Sequence, residues 1–238
     1  MNLSKFHPSR RAMIRGVLLA SGFAPALLVA LGRAGANSKV PVIPGVQDVS
    51  GDVRINAGPA LVGQVVHPGD VVTTGRDGSC VIIIGEHVFL IREGSEIEFY
   101  DEYFEEGLDT SVSGRIRVAA GAILSVFAKT DTTISTRFAT IGIRGTACYV
   151  SVEPERTYAC VCYGRGDLGG AEDGLHLESV TTIHHDSPRY IYPASAPQRI
   201  EKAPVFNHKD AELRMLEALV NRRPPFDSRI NNKIDRGY

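Results

Sequence analysis

Cys160-Val161-Cys162 and His184-His185-Asp186 are the residues of this chain whose types and spacing could do chemistry. Two thiolates and one or two imidazoles can make a tetrahedral site for a borderline-soft transition metal such as zinc, with Cys160, Cys162, His184 and His185 as the ligands. The C-x-C spacing is tight, and about twenty residues separate it from the histidines. Strand thiols beside a surface histidine pair are therefore the competing reading, with no cofactor at all. Cys148 opens a third possibility. It lies with Cys160 and Cys162 on the two arms of a hairpin expected around Glu153 to Arg156, and residues 160 and 162 face one side of a strand. A disulfide from Cys148 to Cys160 or Cys162 is geometrically possible across paired strands and would suit an oxidising compartment. Cys80, beside Val81-Ile82-Ile83, is expected as a buried free thiol.

Other chemistry finds little footing. The chain has no G-x-S-x-G elbow, no H-E-x-x-H pair and no phosphate-binding glycine loop, and Gly164-Arg165-Gly166-Asp167 with Gly169-Gly170 is better explained as turns. No enzyme is expected.

The elements that must position these residues are short strands. Val81-Ile82-Ile83-Ile84 and Val88-Phe89-Leu90-Ile91 are apolar, β-branched-rich runs on either side of Gly85-Glu86, a pair suited to a type II′ hairpin turn. Further turn signals at Asp77-Gly78, Arg92-Glu93-Gly94, Glu106-Gly107, Ser113-Gly114 and Glu153-Pro154-Glu155 have the spacing of an all-β sandwich, roll or barrel. From Thr136 to Val152 apolar residues alternate with polar or small ones, and Gly142 and Gly145 interrupt the run, so the backbone should bend or pack closely at both. Past Ser187, Pro188, Pro193, Pro197 and Pro204 punctuate a polar extension over 187–238. Within it, residues 209–223 predict a short amphipathic helix with Asn207 as N-cap, Leu213, Leu216, Leu219 and Val220 on one side, and Pro224-Pro225 as the stop. Docking on the β domain is the expected role of that helix.

The N-terminus bears on where the domain works. Ser9-Arg10-Arg11-Ala12-Met13-Ile14-Arg15 precedes a mildly apolar stretch from Val17 to Leu31 that ends in Arg33-Ala34-Gly35-Ala36. It resembles a twin-arginine export signal, with Arg10 and Arg11 as the recognition pair and residues 1–36 removed on export to the periplasm. The apolar stretch is short against the roughly 20 residues a spanning helix needs, and no transmembrane helix is expected in the mature chain. Removing five basic residues leaves 21 against 27 acidic ones, a net charge near −6. Nucleic-acid binding loses its support on that balance. The acids gather at Glu93, Glu96, Glu98, Asp101, Glu102, Glu105 and Glu106 among Phe99, Tyr100, Tyr103 and Phe104, which predicts a solvated hairpin with its aromatics inward rather than a cation site.

Thr136-Arg137-Phe138-Ala139-Thr140-Ile141-Gly142-Ile143-Arg144-Gly145-Thr146 closely resembles the T-x-x-A-x-I-G-I/V-R-G-T segment of the FecR family. Gly51-Asp52-Val53-Arg54, Pro68 to Gly75, Gly121-Ala122-Ile123-Leu124 and Thr132 to Thr136 follow the same pattern, so the resemblance spans about Val49 to Leu168. It implies a linker over 37–48 and a compact FecR-like β domain over 49–186. It also implies a non-catalytic sensing or interaction module of the bacterial envelope that contacts another envelope protein. Gly142, Arg144, Gly145 and Thr146 are then the candidate partner-binding positions, Arg144 either pairing a partner carboxylate or tying strand ends together.

Overall fold

The computed structural model describes residues 41–67, 69–100, 114–129 and 131–227. The twin arginines and most of the acidic-aromatic run, from Asp101 to Glu106, lie outside these residues. No helix among them is long and apolar enough to cross a membrane.

The described chain is almost entirely β, as its turn spacing predicts. Its strands are β1 (Gly45–Ser50), β2 (Val53–Ile55), β3 (Gly58–Pro59), β4 (Val71–Thr74), β5 (Ser79–Ile84), β6 (His87–Ile91), β7 (Glu96–Phe99), β8 (Gly114–Val126), β9 (Asp131–Ser135), β10 (Ala139–Val152), β11 (Thr157–Gly170), β12 (His176–Thr182), β13 (Arg189–Ile191) and β14 (Ile200–Lys202). One helix, α1 (Asp210–Leu219), follows. Every pairing is antiparallel except β8 with β9.

Three long strands change neighbours along their length and fold the sheet into two wings. The first half of β8 lies beside β7 and β9, and its second half beside β6 and β10. β10 pairs β9 over Thr140–Arg144, then β8 from Ala147 onward. Gly145 sits between these halves at φ +54°, where the pairing shifts register. A glycine reaches this left-handed conformation without steric cost, and the strand turns there from one wing to the other. Gly142 differs from the expectation. It is ordinary strand, paired with Asp167, and an added Cβ would meet nothing closer than 3.7 Å. Alternation alone does not tell a bending glycine from a merely small one.

Between the wings lies the larger core, where Ile82, Phe89, Ile91, Ile123 and Val150 of one wing meet Ile97, Phe99, Ile116, Ile134 and Ile141 of the other. The opposite face of the first wing is apolar as well: Val81, Ile83, Val88, Leu90, Leu124, Val126 and Tyr149 form a second core, roofed by Leu213, Met215, Leu216 and Leu219 of α1 and by Phe226. Burial on both faces is why β5 and β6 read as unbroken apolar runs rather than alternating ones. Their two-residue link has Gly85 at φ +57°, the positive value a II′ turn needs at its first central position.

The extension beyond Ser187 is tied to the β domain. β13 adds to the edge of β11 and β14 adds to β13. The helix is shorter than residues 209–223. Its N-cap is Lys209, whose N–H donates to Glu212 at 2.9 Å, whereas Asn207 has φ +57° and gives its carbonyl to Arg92. Asn221 at φ +58° ends the helical path ahead of the prolines, in the left-handed conformation common just past helix ends.

Candidate metal centre

Cys160 and Cys162 sit two residues apart on β11, so both thiols point from the same face, into the second core. Both are fully buried. A tight turn after β12 delivers the third group. Asp186 Oδ2 accepts the N–H groups of Ile183 and His184, His185 takes φ +51°, and the His185 N–H donates to the Cys162 carbonyl at 2.9 Å. The His185 ring is thereby laid over the thiols, with Nδ1 3.7 Å from Cys160 Sγ.

His208 is the fourth group, supplied by the extension just ahead of α1. Its ring stacks on Tyr149 with centroids 4.7 Å apart, and its Nδ1 lies 2.7 Å from the Phe206 carbonyl. A carbonyl only accepts, so Nδ1 carries the proton and Nε2 presents its lone pair to the cluster, 3.0 Å from His185 Nδ1. On its far side the His185 ring turns Nε2 toward Asp210 Oδ1 at 3.2 Å, which leaves Nδ1 facing inward. The ligand atoms of Cys160, Cys162, His185 and His208 all lie within 4.8 Å of one another. Zinc–nitrogen bonds of about 2.0 Å and zinc–sulfur bonds of about 2.3 Å in a tetrahedron put ligand atoms roughly 3.3–3.8 Å apart. The 3.0 Å and 3.7 Å separations are close to that spacing.

The electrostatics suit a cation in the middle. The Cys160 thiol is drawn well below its usual range, first by donation from the Cys162 thiol and then, against burial, by His185 and His208. Burial, reinforced by the charge on Cys160, pushes Cys162 up. Without an ion the pair thus holds one negative charge beside His185. Burial opposes a proton on that ring, but Cys160 and Asp210 together raise its pKa. A proton and a metal ion compete for the same lone pairs, so metal binding would release that proton.

The arrangement corrects the expected ligand set in one place. His184 is turned away, its Nε2 2.7 Å from Asp210, and His208 occupies the position expected of it. His184, His185 and Asp210 form a second, more exposed group of donors. Its members are hydrogen-bonded to one another through Asp210, an arrangement that would fix the His185 ring and tautomer if that imidazole held a metal. Burial opposes the Asp210 charge, yet bonds from the histidines and nearby Arg214 hold its pKa below the ordinary range. His208 gives no spacing signal in the sequence, since the proline-punctuated stretch from Pro188 to Pro204, which holds only the short strands β13 and β14, separates it from the cysteines. Its one local mark is its place just ahead of a predicted helix start.

The disulfide that the spacing left open for Cys148 is absent: all four cysteines are free. β10–β11 register sets Cys148 opposite Val161, so its side chain enters the core between the wings while Cys160 and Cys162 point to the other face. Cys80 is buried and free, as its setting predicts.

The FecR-like segment forms most of β10. Arg144 is 62% exposed and lies 3.9 Å from Asp131 and 4.0 Å from Asp167, linking β9, β10 and β11 at the surface rather than inside the domain. Thr146 is buried, with its Cβ and hydroxyl packed under Gly164.

No family model matches the chain, and no curated protein sequence does. Among solved structures, the fold is similar to two crystal structures of a "putative anti-sigma factor" from Parabacteroides distasonis, with TM-scores of 0.44 and 0.42 and 10% sequence identity in each case. Each match covers 56% of this chain and 59% of that one, so the chain spans about three fifths of the protein it is compared with. At that score the likeness does not extend to a shared activity.

Proposed function

We propose that this chain is an exported, non-catalytic interaction or sensing module of the bacterial cell envelope, and that its ligand is a transition-metal ion of the zinc type. One observation carries the metal reading: two thiols and two imidazole nitrogens from three separate parts of the chain converge within 4.8 Å. Four protein donors complete a tetrahedral shell, as in structural zinc sites, whereas catalytic sites keep a position open for water or substrate. The FecR-like segment and the export-type N-terminus support the envelope setting. A twin-arginine route carries folded proteins and would let the site load before export. For contact with an envelope protein, Leu61, Val62 and Val65 supply exposed apolar side chains on the loop that the Gly63 N–H ties to the Val46 carbonyl.

Elemental analysis of the purified full chain, prepared without chelators, tests the metal reading. About one zinc per chain is expected, lost in the Cys160→Ser, Cys162→Ser double variant and kept in His184→Ala. Absence of a bound ion, or equal retention in the double variant, contradicts it.

A further inference from the structure

The four donors do not belong to one part of the fold. Cys160, Cys162 and His185 are fixed to the sheet by β11 and the turn after β12, whereas His208 arrives with the extension, two residues ahead of α1. Asp210, the first residue of that helix, adds the carboxylate behind His185. The helix buries Leu213, Leu216 and Leu219 over Val81, Val88, Leu90 and Leu124. A ten-residue helix is too short to be stable alone, and the long stretch from Pro193 to Phe206 that leads into it holds one strand of three residues. What keeps α1 down is therefore its apolar face, the Arg92–Glu212 ion pair at 2.8 Å, the Tyr163–Glu217 hydrogen bond and the Arg222 bond to the Glu86 carbonyl at its far end, and the junction at His208 and Asp210 at its near end.

We propose that the metal ion is the fastener of this cover: bound by Cys160, Cys162, His185 and His208, it pins α1 over the second core, and its removal frees the helix and opens the apolar face of β5, β6 and β8 beneath it. The inference rests on the metal reading above and adds a consequence. An ion that bridges sheet and extension has four donors in the covered state and three in the open one, so it binds the covered state more tightly and shifts the balance between them by mass action. A metal-responsive module needs a movable part linked to its ligand, and α1 is the element here that a ligand would hold from one end. In the ion-free chain the junction is held only by the His208–His185 contact and by the bonds of His184 and His185 to Asp210, which are weaker than four metal–ligand bonds.

Hydrogen exchange of the full chain, read by mass spectrometry with reductant present, separates the possibilities. Zinc-loaded and chelator-treated samples are compared over residues 210–219, with residues 139–144 of β10 as an internal reference, and zinc content is measured on the same samples. With one zinc per chain, removal should speed exchange over 210–219 at least tenfold and leave 139–144 unchanged. His208→Gln, which keeps the three sheet-borne donors, should exchange like the chelated sample even when zinc is supplied. If zinc is bound and its removal leaves 210–219 unchanged, the fastening is overturned and the metal site stands. A uniform rise in both segments also overturns it, since the ion would then hold the whole fold. If the first sample carries no zinc, the metal reading itself has failed.

Discussion

At the scale of single residues, the centre depends on how its histidines are held. His208 is fixed by the Phe206 carbonyl and the Tyr149 ring, and His185 by the Cys162 carbonyl and Asp210. Asp210→Asn removes the charge behind His185 and keeps the side-chain shape. Loss of such an outer carboxylate typically costs about 10–100-fold in metal affinity, and a zinc competition titration should show a drop of that order with the fold intact. His184→Ala should change zinc affinity less than Asp210→Asn, because the His184 hydrogen bond reaches the centre through that carboxylate. Two of the four candidate ligands on one strand and the third at the histidine pair are legible in the sequence. The fourth is not, because no local pattern announces which of seven histidines a proline-rich extension will bring back to the sheet. The disulfide expectation fails for a related reason. Mirror-like distances from the Pro154-Glu155 turn suggest a cross-strand pair, yet a register offset of one residue moves a side chain to the opposite face, and Cys148 falls opposite Val161.

Elements carry the next constraints. Gly145 is where β10 crosses between wings, and a Cβ there would lie 3.3 Å from Lys129 Cα in a left-handed backbone. Gly145→Val should therefore destabilise the fold by about 1–3 kcal/mol or more, read from denaturant unfolding. Gly142→Ala, in ordinary strand, should stay within about 0.5 kcal/mol of the parent chain. At the β5–β6 hairpin, His87 is buried and accepts the Ala128 N–H at 3.3 Å. Burial first, and then the nearby Arg222 charge, lower its pKa to about 4, against an ordinary value of 6.5. The unfolded chain binds a proton at this residue below pH 6.5 and the folded chain does not until about pH 4, so its contribution to stability is lost as pH falls through that window. Unfolding curves of the parent and of His87→Leu, taken at several pH values, should show the parent losing more stability between pH 6.5 and 4. Equal pH slopes would contradict the buried neutral ring.

For the whole molecule, the all-β class and the hairpin at Gly85-Glu86 follow from local apolar periodicity and turn chemistry, which the sequence states directly. The two-wing arrangement does not, because it depends on β8, β10 and β11 each changing partners midway, and strand pairing is not a local property. The unbroken apolar runs of β5 and β6 do hint at it: a strand with no polar face needs covering twice, once by the other wing and once by α1. That second cover brings His208 to the cysteines, so the site exists only once the whole chain is folded. X-ray absorption at the zinc edge of the loaded full chain tests this account most directly. Two sulfur ligands at about 2.3 Å and two nitrogen ligands at about 2.0 Å are expected, with the sulfur shell lost in the Cys160→Ser, Cys162→Ser variant. A shell of light atoms without sulfur in the parent chain would place the ion elsewhere and contradict the assignment of Cys160, Cys162, His185 and His208.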